Sequence, residues 1–308
     1  MTSPATAQRT LWQDARERFG HNKAAMFGLV VIELAALLAI FAPLLAPYSP
    51  TDTFTAGGRQ APTLADPFWA GTEYVDSRYL LGTDQIGRDI LSRLIWSARV
   101  SMVVGFVPVT VIVAIGIAVG LLAGYAGGWT DQLLMRLTDV VYAFPDLLFL
   151  VILFATLRNT GLGELMGGLI LMFVGIAVVN WVGMARLVRG QVLSLKEKEY
   201  VEAARAIGAR PVHIMLRHLL PNALGPVIVA VAFGIPSAML AEGTLSFIGV
   251  GIRPPTATWG VMINEGYQVF ATSPWPVLMP AACIAVVMLA FTFVGDGIRD
   301  AIDPRMRL

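Results

Sequence analysis

Hydrophobic positions in this chain come in six runs separated by short polar stretches. They lie at about 26–48, 100–124, 133–157, 164–186, 222–245 and 276–298. Each run is near the roughly 20 apolar residues that one helix needs to cross a bilayer. Outside them, residues 1–25 are polar and basic, and Trp12 and Phe19 can give this stretch a short helix lying at the interface. One polar interruption, 187–222, reads as two short helices and a turn. Ser194 and Glu197 have the form of a capping box that starts the first helix. Gly208 is placed as the left-handed residue past its end, and Pro211 fits the first turn of the second. Pro221 stops that second helix or kinks it into the next apolar run. In the first helix Ala203, Ala204 and Ala206 leave a thin side, with Glu202 and Arg205 beside them, suited to close approach in a partner's groove.

Composition agrees with the pattern. The 308 residues are 56% hydrophobic and only 14% charged, and mean hydropathy is +0.69. Soluble domains carry about 25% charged residues, so the fold class is an all-α, polytopic membrane protein. The net charge of +1 gives no electrostatic footprint for nucleic acid. The single cysteine, Cys283, sits in an apolar run as a packing residue, and one cysteine closes no disulfide within a chain. The first apolar run is longer than a signal-peptide core and lacks a small-residue cleavage site, so it reads as a retained span. All three lysines, with much of the arginine, fall in the N-terminal tail, the 187–221 loop and the C-terminal tail. The positive-inside rule places those segments, and both termini, in the cytoplasm.

Within the spans, Gly116, Gly120 and Gly124 form a doubled small-xxx-small pattern that lets two helices approach closely. Arg136 and Asp139 are spaced to pair on one helical face, and Phe144-Pro145-Asp146 marks a kink. Glu33 puts a charge inside the first span, where it is either a functional group or a protonated or helix-bonded one. The fifth span, with Pro226, Gly234, Pro236, Glu242 and Gly243, reads as a broken helix beside a water-filled path. From Asp84, the residues Ile86, Ile90, Leu94 and Ile95 share a helical face, predicting an amphipathic helix on the outer surface that leads into the second span.

Several separated motifs resemble one family. Glu202-Ala203-Ala204, Gly208 and Leu220-Pro221 resemble the EAA loop of permease subunits of ABC importers, with His218 where that pattern often has Ile. Leu81-Gly-Thr-Asp84 with Gly87-Arg-Asp89 and Ser92-Arg93 is similar to C-type subunits of dipeptide and oligopeptide importers. So are Leu245-Ser-Phe-Ile-Gly-Val-Gly-Ile-Arg-Pro-Pro255, Trp259-Gly260 and the end from Gly295 to Arg305. The resemblance implies a type I ABC importer permease fold. Its parts would be a tail, first span and external loop over 1–98, a five-helix core over 99–298 with a coupling loop at 187–221, and a tail at 299–308. It implies that Glu199, Tyr200, Glu202, Ala203, Ala204, Arg205 and Gly208 meet an ATPase. It further implies a paralogous permease subunit as heterodimer partner, two ATP-binding subunits carrying ATP and Mg, and an extracytoplasmic peptide-binding protein, in a bacterial or archaeal inner membrane. Pro236, Glu242 and Asp139 are the candidate path residues.

Missing motifs narrow the chemistry. No phosphate-binding loop surrounds Lys23, Lys196 or Lys198, so ATP hydrolysis and any cofactor are expected on partner subunits. His21, His213 and His218 are not grouped as metal ligands, and no nucleophile elbow is present, so no catalytic role is assigned. A secondary transporter would rely on Glu33, Asp139 and Glu242, and no clear repeat of the two halves supports that alternative. The resemblance implies di- or oligopeptides as cargo, with nickel chelates, glutathione or another small solute as alternatives.

Overall fold

The computed structural model describes residues 11–53 and 79–302. The expected outer segment over 54–78, the first ten residues and residues 303–308 lie outside the described residues. The chain is helical nearly throughout. A first helix α1 (Leu11–His21) is followed by α2 (Lys23–Ile40) and a short α3 (Ala42–Leu45). Asn22 caps α2 by accepting from the backbone N–H groups of Ala24 and Ala25 at 3.1 Å each. Next come α4 (Ile90–Ala126), α5 (Gly128–Tyr142), α6 (Asp146–Leu157) and α7 (Gly161–Glu164). The chain then continues through α8 (Leu169–Leu195), α9 (Glu199–Ala206), α10 (Pro211–Ile214), α11 (Leu220–Ile248), α12 (Trp259–Tyr267) and α13 (Trp275–Ile302). Five segments are long and apolar enough to cross a membrane, and α5 with α6 supplies a sixth, broken by a 75° bend. The all-α membrane class therefore holds.

The centre of the bundle is the contact between α4 and α8, the most extensive among the described residues. A Cβ on Gly120 would stand 2.6 Å from the Ala185 carbonyl oxygen, and one on Gly124 would stand 2.8 Å from Val192. Only hydrogen at these positions lets the two backbones touch, so dispersion contacts hold them without a hydrophobic drive. The register 120 to 185 and 124 to 192 makes the two helices parallel. Helices α2 and α13 are antiparallel, since Gly28 faces Ala290 while Gly297 faces Ala25. Helix α11 runs against α13, with Gly225 at Ile302 and Gly295 at Phe233. These directions bring both described ends and the α9 loop to one end of the bundle, and α12 to the other.

Four local expectations change. Residues 82–88 are not helical: Asp84 closes a turn by accepting from the Ile86 and Arg88 N–H groups at 3.0 Å each. Asp89 then caps α4, accepting from the Ser92 N–H at 2.8 Å, and the helix runs 37 residues without a separate amphipathic piece. The fourth span does not end before Ser194. Val188 and Val192 stay fully buried, and their contacts with Gly120 and Gly124 carry α8 on to Leu195, so Ser194 starts no helix. The fifth span is not broken. Pro226 and Pro236 lie inside a continuous α11, because each removes one backbone bond while α4 and α13 pack along its length. Pro221 likewise ends nothing. A wide turn over Met215–Leu219 absorbs its ring, and Pro211–Ile248 reads as one 38-residue span.

Candidate functional site: a groove and a projecting helix

Two features of this bundle have no structural duty that would explain them. The first is an open groove of about 650 Å³ walled by α4, α6, α8 and α11. Val109 and Ile112 come from α4, Asp146 from α6, Asn180 from α8, and Phe233 and Ser237 from α11. The groove exists because the third span breaks. Pro145, in extended conformation (ψ 120°), ends α5 at Tyr142 and lets α6 leave at 75°, opening the wall between α8 and α11. Helix α5 is kept in place by charge. Arg189 donates from Nε and Nη2 to the two carboxylate oxygens of Asp131, at 2.6 Å each. Such a two-point guanidinium–carboxylate match fixes orientation as well as distance. Arg186 donates to Asp139 at 2.7 Å and lies over the Tyr142 ring at 4.5 Å.

The second feature is α9 at the loop end of the bundle. Its C-terminus is a Schellman turn: the Ala209 N–H bonds the Ala204 carbonyl at 3.0 Å, and the Gly208 N–H bonds that of Arg205 at 2.9 Å. Gly208 has φ +79°, where a side chain would be strained. Val201 and Ala204 are buried against the chain itself, and the Arg205 guanidinium lies 5.6 Å from the Tyr125 ring at the end of α4. This docks one face. The other stays bare: Tyr200 is 41% exposed and Ile207 84%.

At the opposite end several charged side chains pair with one another. Asp84, Arg88, Arg93 and Glu265 form a closed ion cluster. Arg93 donates to Asp84 and Glu265 at 2.6 Å each, and Arg88 to the same two at 2.6 and 2.7 Å. Arg93 is 2% exposed. The cluster ties the 79–93 segment to α12. Beside it, Glu242 accepts from Ser246 and Thr258 at 2.7 Å each, and Thr258 caps α12. Among the described residues no cluster of His, Cys, Asp and Glu could hold a metal ion.

Residues 116–308 match the family described as binding-protein-dependent transport system inner membrane component. The chain belongs to this family. Residues 10–62 also match the N-terminal transmembrane domain of oligopeptide transport permease C. The oligopeptide transport system permease protein OppC of Escherichia coli (strain K12) is 41% identical over 299 residues, covering 97% of this chain and 93% of that protein. The dipeptide transport system permease protein DppC of Bacillus subtilis (strain 168) is 39% identical over 296 residues, covering 96% of this chain and 86% of that one. Among solved structures, one of the MetNI methionine ABC transporter in an inward-facing conformation superposes with a TM-score of 0.56 at 20% identity. It covers 70% of this chain and 98% of that one, and shares the type I importer permease fold. The chain is thus a membrane-spanning permease subunit.

In this permease the predicted loop residues from Glu199 to Arg205 fall on one short helix but not on one face, and Gly208 lies in the turn after it. Glu199, Tyr200, Glu202, Ala203 and Arg205 are exposed, whereas Ala204 turns inward and serves the loop's own packing. Apolar residues three apart, Val201 and Ala204, are the signal that would have marked this inner face. Ile207 was missed because it lies past the helix end. None of the three predicted path residues lines the groove. Pro236 is buried, and Glu242 is a buried peg between α11 and α12. Asp139 is exposed and paired with Arg186 rather than with Arg136, because the facing helix brings its guanidinium closer. The permease's Glu33 is exposed on α2 with no hydrogen-bond or ion-pair partner among the described residues.

Proposed function

We propose that this permease subunit forms half of a translocation pathway for dipeptides and oligopeptides in an ATP-driven importer, and that α9 is its contact with separate ATP-binding subunits. The observation that carries this is α9 itself. It is capped, anchored to α4 on one side, and left with Tyr200, Ala203 and Ile207 uncovered on the other. A rigid short helix with a bare apolar and acidic face suits a groove on another protein. The cargo is inferred from the oligopeptide and dipeptide permeases that the chain resembles over almost its whole length.

In this reading the loop end is cytoplasmic, as its free Lys and Arg favour. The open groove is completed by a paralogous permease, and an extracytoplasmic binding protein delivers the peptide to the α12 end. ATP and Mg belong to the ATP-binding subunits, and this chain holds no cofactor. Closure of the ATPase dimer would move α9, and α11 would carry the motion to the groove.

The test is co-purification. The chain is expressed with its genomic neighbours, purified through its own tag, and compared with Glu202→Arg and Gly208→Trp. Recovery of an ATP-binding subunit with the native chain, its loss with the variants, and ATP hydrolysis stimulated by peptide-loaded binding protein are expected. Transport that persists in both variants and follows a proton gradient would overturn the proposal.

A further inference from the structure

The groove has a chemical bias that its apolar walls conceal. Among the described residues, Asp146 is the only ionisable one lining it. It occupies the first position of α6. Its own neighbours give it nothing. Pro145 before it offers no side-chain cap, and Asp146 has no hydrogen-bond or ion-pair partner among the described residues. A carboxylate exposed to a groove within a membrane protein, with no cation facing it among the described residues, is placed to receive a cation from outside.

The other polar groups of the groove add to this bias. The Ser237 hydroxyl spends its only hydrogen on the Phe233 carbonyl at 2.8 Å, and Thr244 spends its own on that of Leu240 at 2.8 Å. Both oxygens are left with accepting lone pairs alone. Asn180 commits one of its two amide hydrogens to the Ile176 carbonyl at 2.9 Å, keeping Oδ1 free. The groove therefore presents a charge and a surplus of acceptors, and one spare donor.

We propose that Asp146 is a transient station for a cationic group of the cargo, in the first instance the N-terminal ammonium of a peptide. This deepens the cargo reading above and rests on it. An ammonium offers three donors and one charge, the complement of what the groove displays. The Asp146 side chain is exposed, so the contact is wet and modest in strength. A pathway needs that, since cargo must leave as readily as it enters.

The experiment uses the complete importer in proteoliposomes, with its binding protein outside. The probes are trialanine and N-acetyl-trialanine, each used at concentrations that saturate the binding protein as measured by separate titration. Native complex is compared with Asp146→Asn and Asp146→Glu. Loss of one charged hydrogen bond predicts roughly tenfold slower trialanine uptake in Asp146→Asn. Co-purification of all subunits and the ATPase activity stimulated by loaded binding protein should stay unchanged. Asp146→Glu should restore most of the uptake, and uptake of the acetylated peptide should not depend on the substitution. Equal uptake of trialanine by native and Asp146→Asn complexes overturns the station alone. An equal loss for both peptides, or loss of subunits on purification, assigns Asp146 to a subunit contact and also overturns it. A native complex that moves neither peptide defeats the cargo reading, and the station with it.

Discussion

Replacing Arg93 with Met should release the outer segment from α12 without unfolding the bundle. Arg93 is the centre of the ion cluster, 2% exposed and bonded through one nitrogen to both Asp84 and Glu265 at 2.6 Å. With it the cluster is balanced, two cations against two carboxylates. Without it, Arg88 alone faces both acids in a site that excludes most water. Removing one partner from a buried pair costs about 3–5 kcal/mol, because the remaining charge is left uncompensated. Segment 79–93 is held to α12 by these groups and by Gln85, which donates to the Glu265 carbonyl oxygen at 3.3 Å, so the cost should appear as local opening rather than global unfolding. At about 1.4 kcal/mol per tenfold, amide exchange over residues 82–93 should quicken by roughly two to three and a half orders of magnitude. The double variant Arg93→Met with Glu265→Gln keeps one Arg88–Asp84 pair in balance and should recover most of the protection. Hydrogen exchange read by mass spectrometry on the purified complex reports both. An increase below tenfold in Arg93→Met, or a double variant as open as the sum of the two single variants, would refute the reasoning.

Other perturbations test the remaining parts. Gly120→Val places methyl groups against the Ala185 carbonyl and Val188. It should cost about 1–3 kcal/mol or more, seen as lost monodispersity on size-exclusion chromatography. Gly190→Ala, with nothing within 4 Å of the new carbon, should be neutral or slightly stabilising in the same assay. Gly208→Val forces a branched residue into φ +79° and should fray α9 at a cost of about 1–3 kcal/mol. It should lower stimulated ATPase activity while the thermal transition of the spans stays in place. Glu33→Leu removes an unpartnered charge from the exposed, apolar side of α2. Membrane yield should rise or hold; a fall would show that another chain partners Glu33.

Local chemistry was the part of this structure most legible in the sequence. Gly116, Gly120 and Gly124 announced a close helix contact, and the contact is there with α8. Gly208 and Pro211 announced the turn between two helices, because the left-handed residue and the first-turn proline are set by backbone geometry alone. Long-range pairing left no comparable mark. Arg93 and Glu265 are 172 positions apart, and nothing near either names the other. Asp139 looked satisfied by Arg136, one turn away, yet the facing helix competes for the same carboxylate and wins. Pro145 and Pro236 show the same limit from the other side. Both sit in apolar runs, but only Pro145 lies where few neighbouring contacts oppose a bend; Pro236 is buried and clamped. The groove depends on the rotation of four helices, which hydrophobic periodicity in an apolar span cannot fix.

The unbroken fifth span changes how motion at α9 would travel. A helix broken at Pro236 would place a joint at mid-depth, and a displacement of the loop would end there. The observed span, Pro211–Ile248, is a single rod of about 57 Å at 1.5 Å per residue. One end begins two residues after the α9 turn. The other carries Glu242 and Ser246, which hold Thr258 at the start of α12. Between them, Phe233, Ser237 and Thr244 form one wall of the groove. Compliance along this rod would be concentrated at the wide turn Met215–Leu219, near the loop and below the groove, where the His218 ring meets Tyr200 at a tilt (6.3 Å) and His213 edge-on (5.8 Å). A push on α9 would therefore bend the rod at its base and swing the groove wall as a body, with the α12 end following through Glu242. In that geometry Glu242, buried and accepting from Ser246 and Thr258, would link the moving wall to the outer helix.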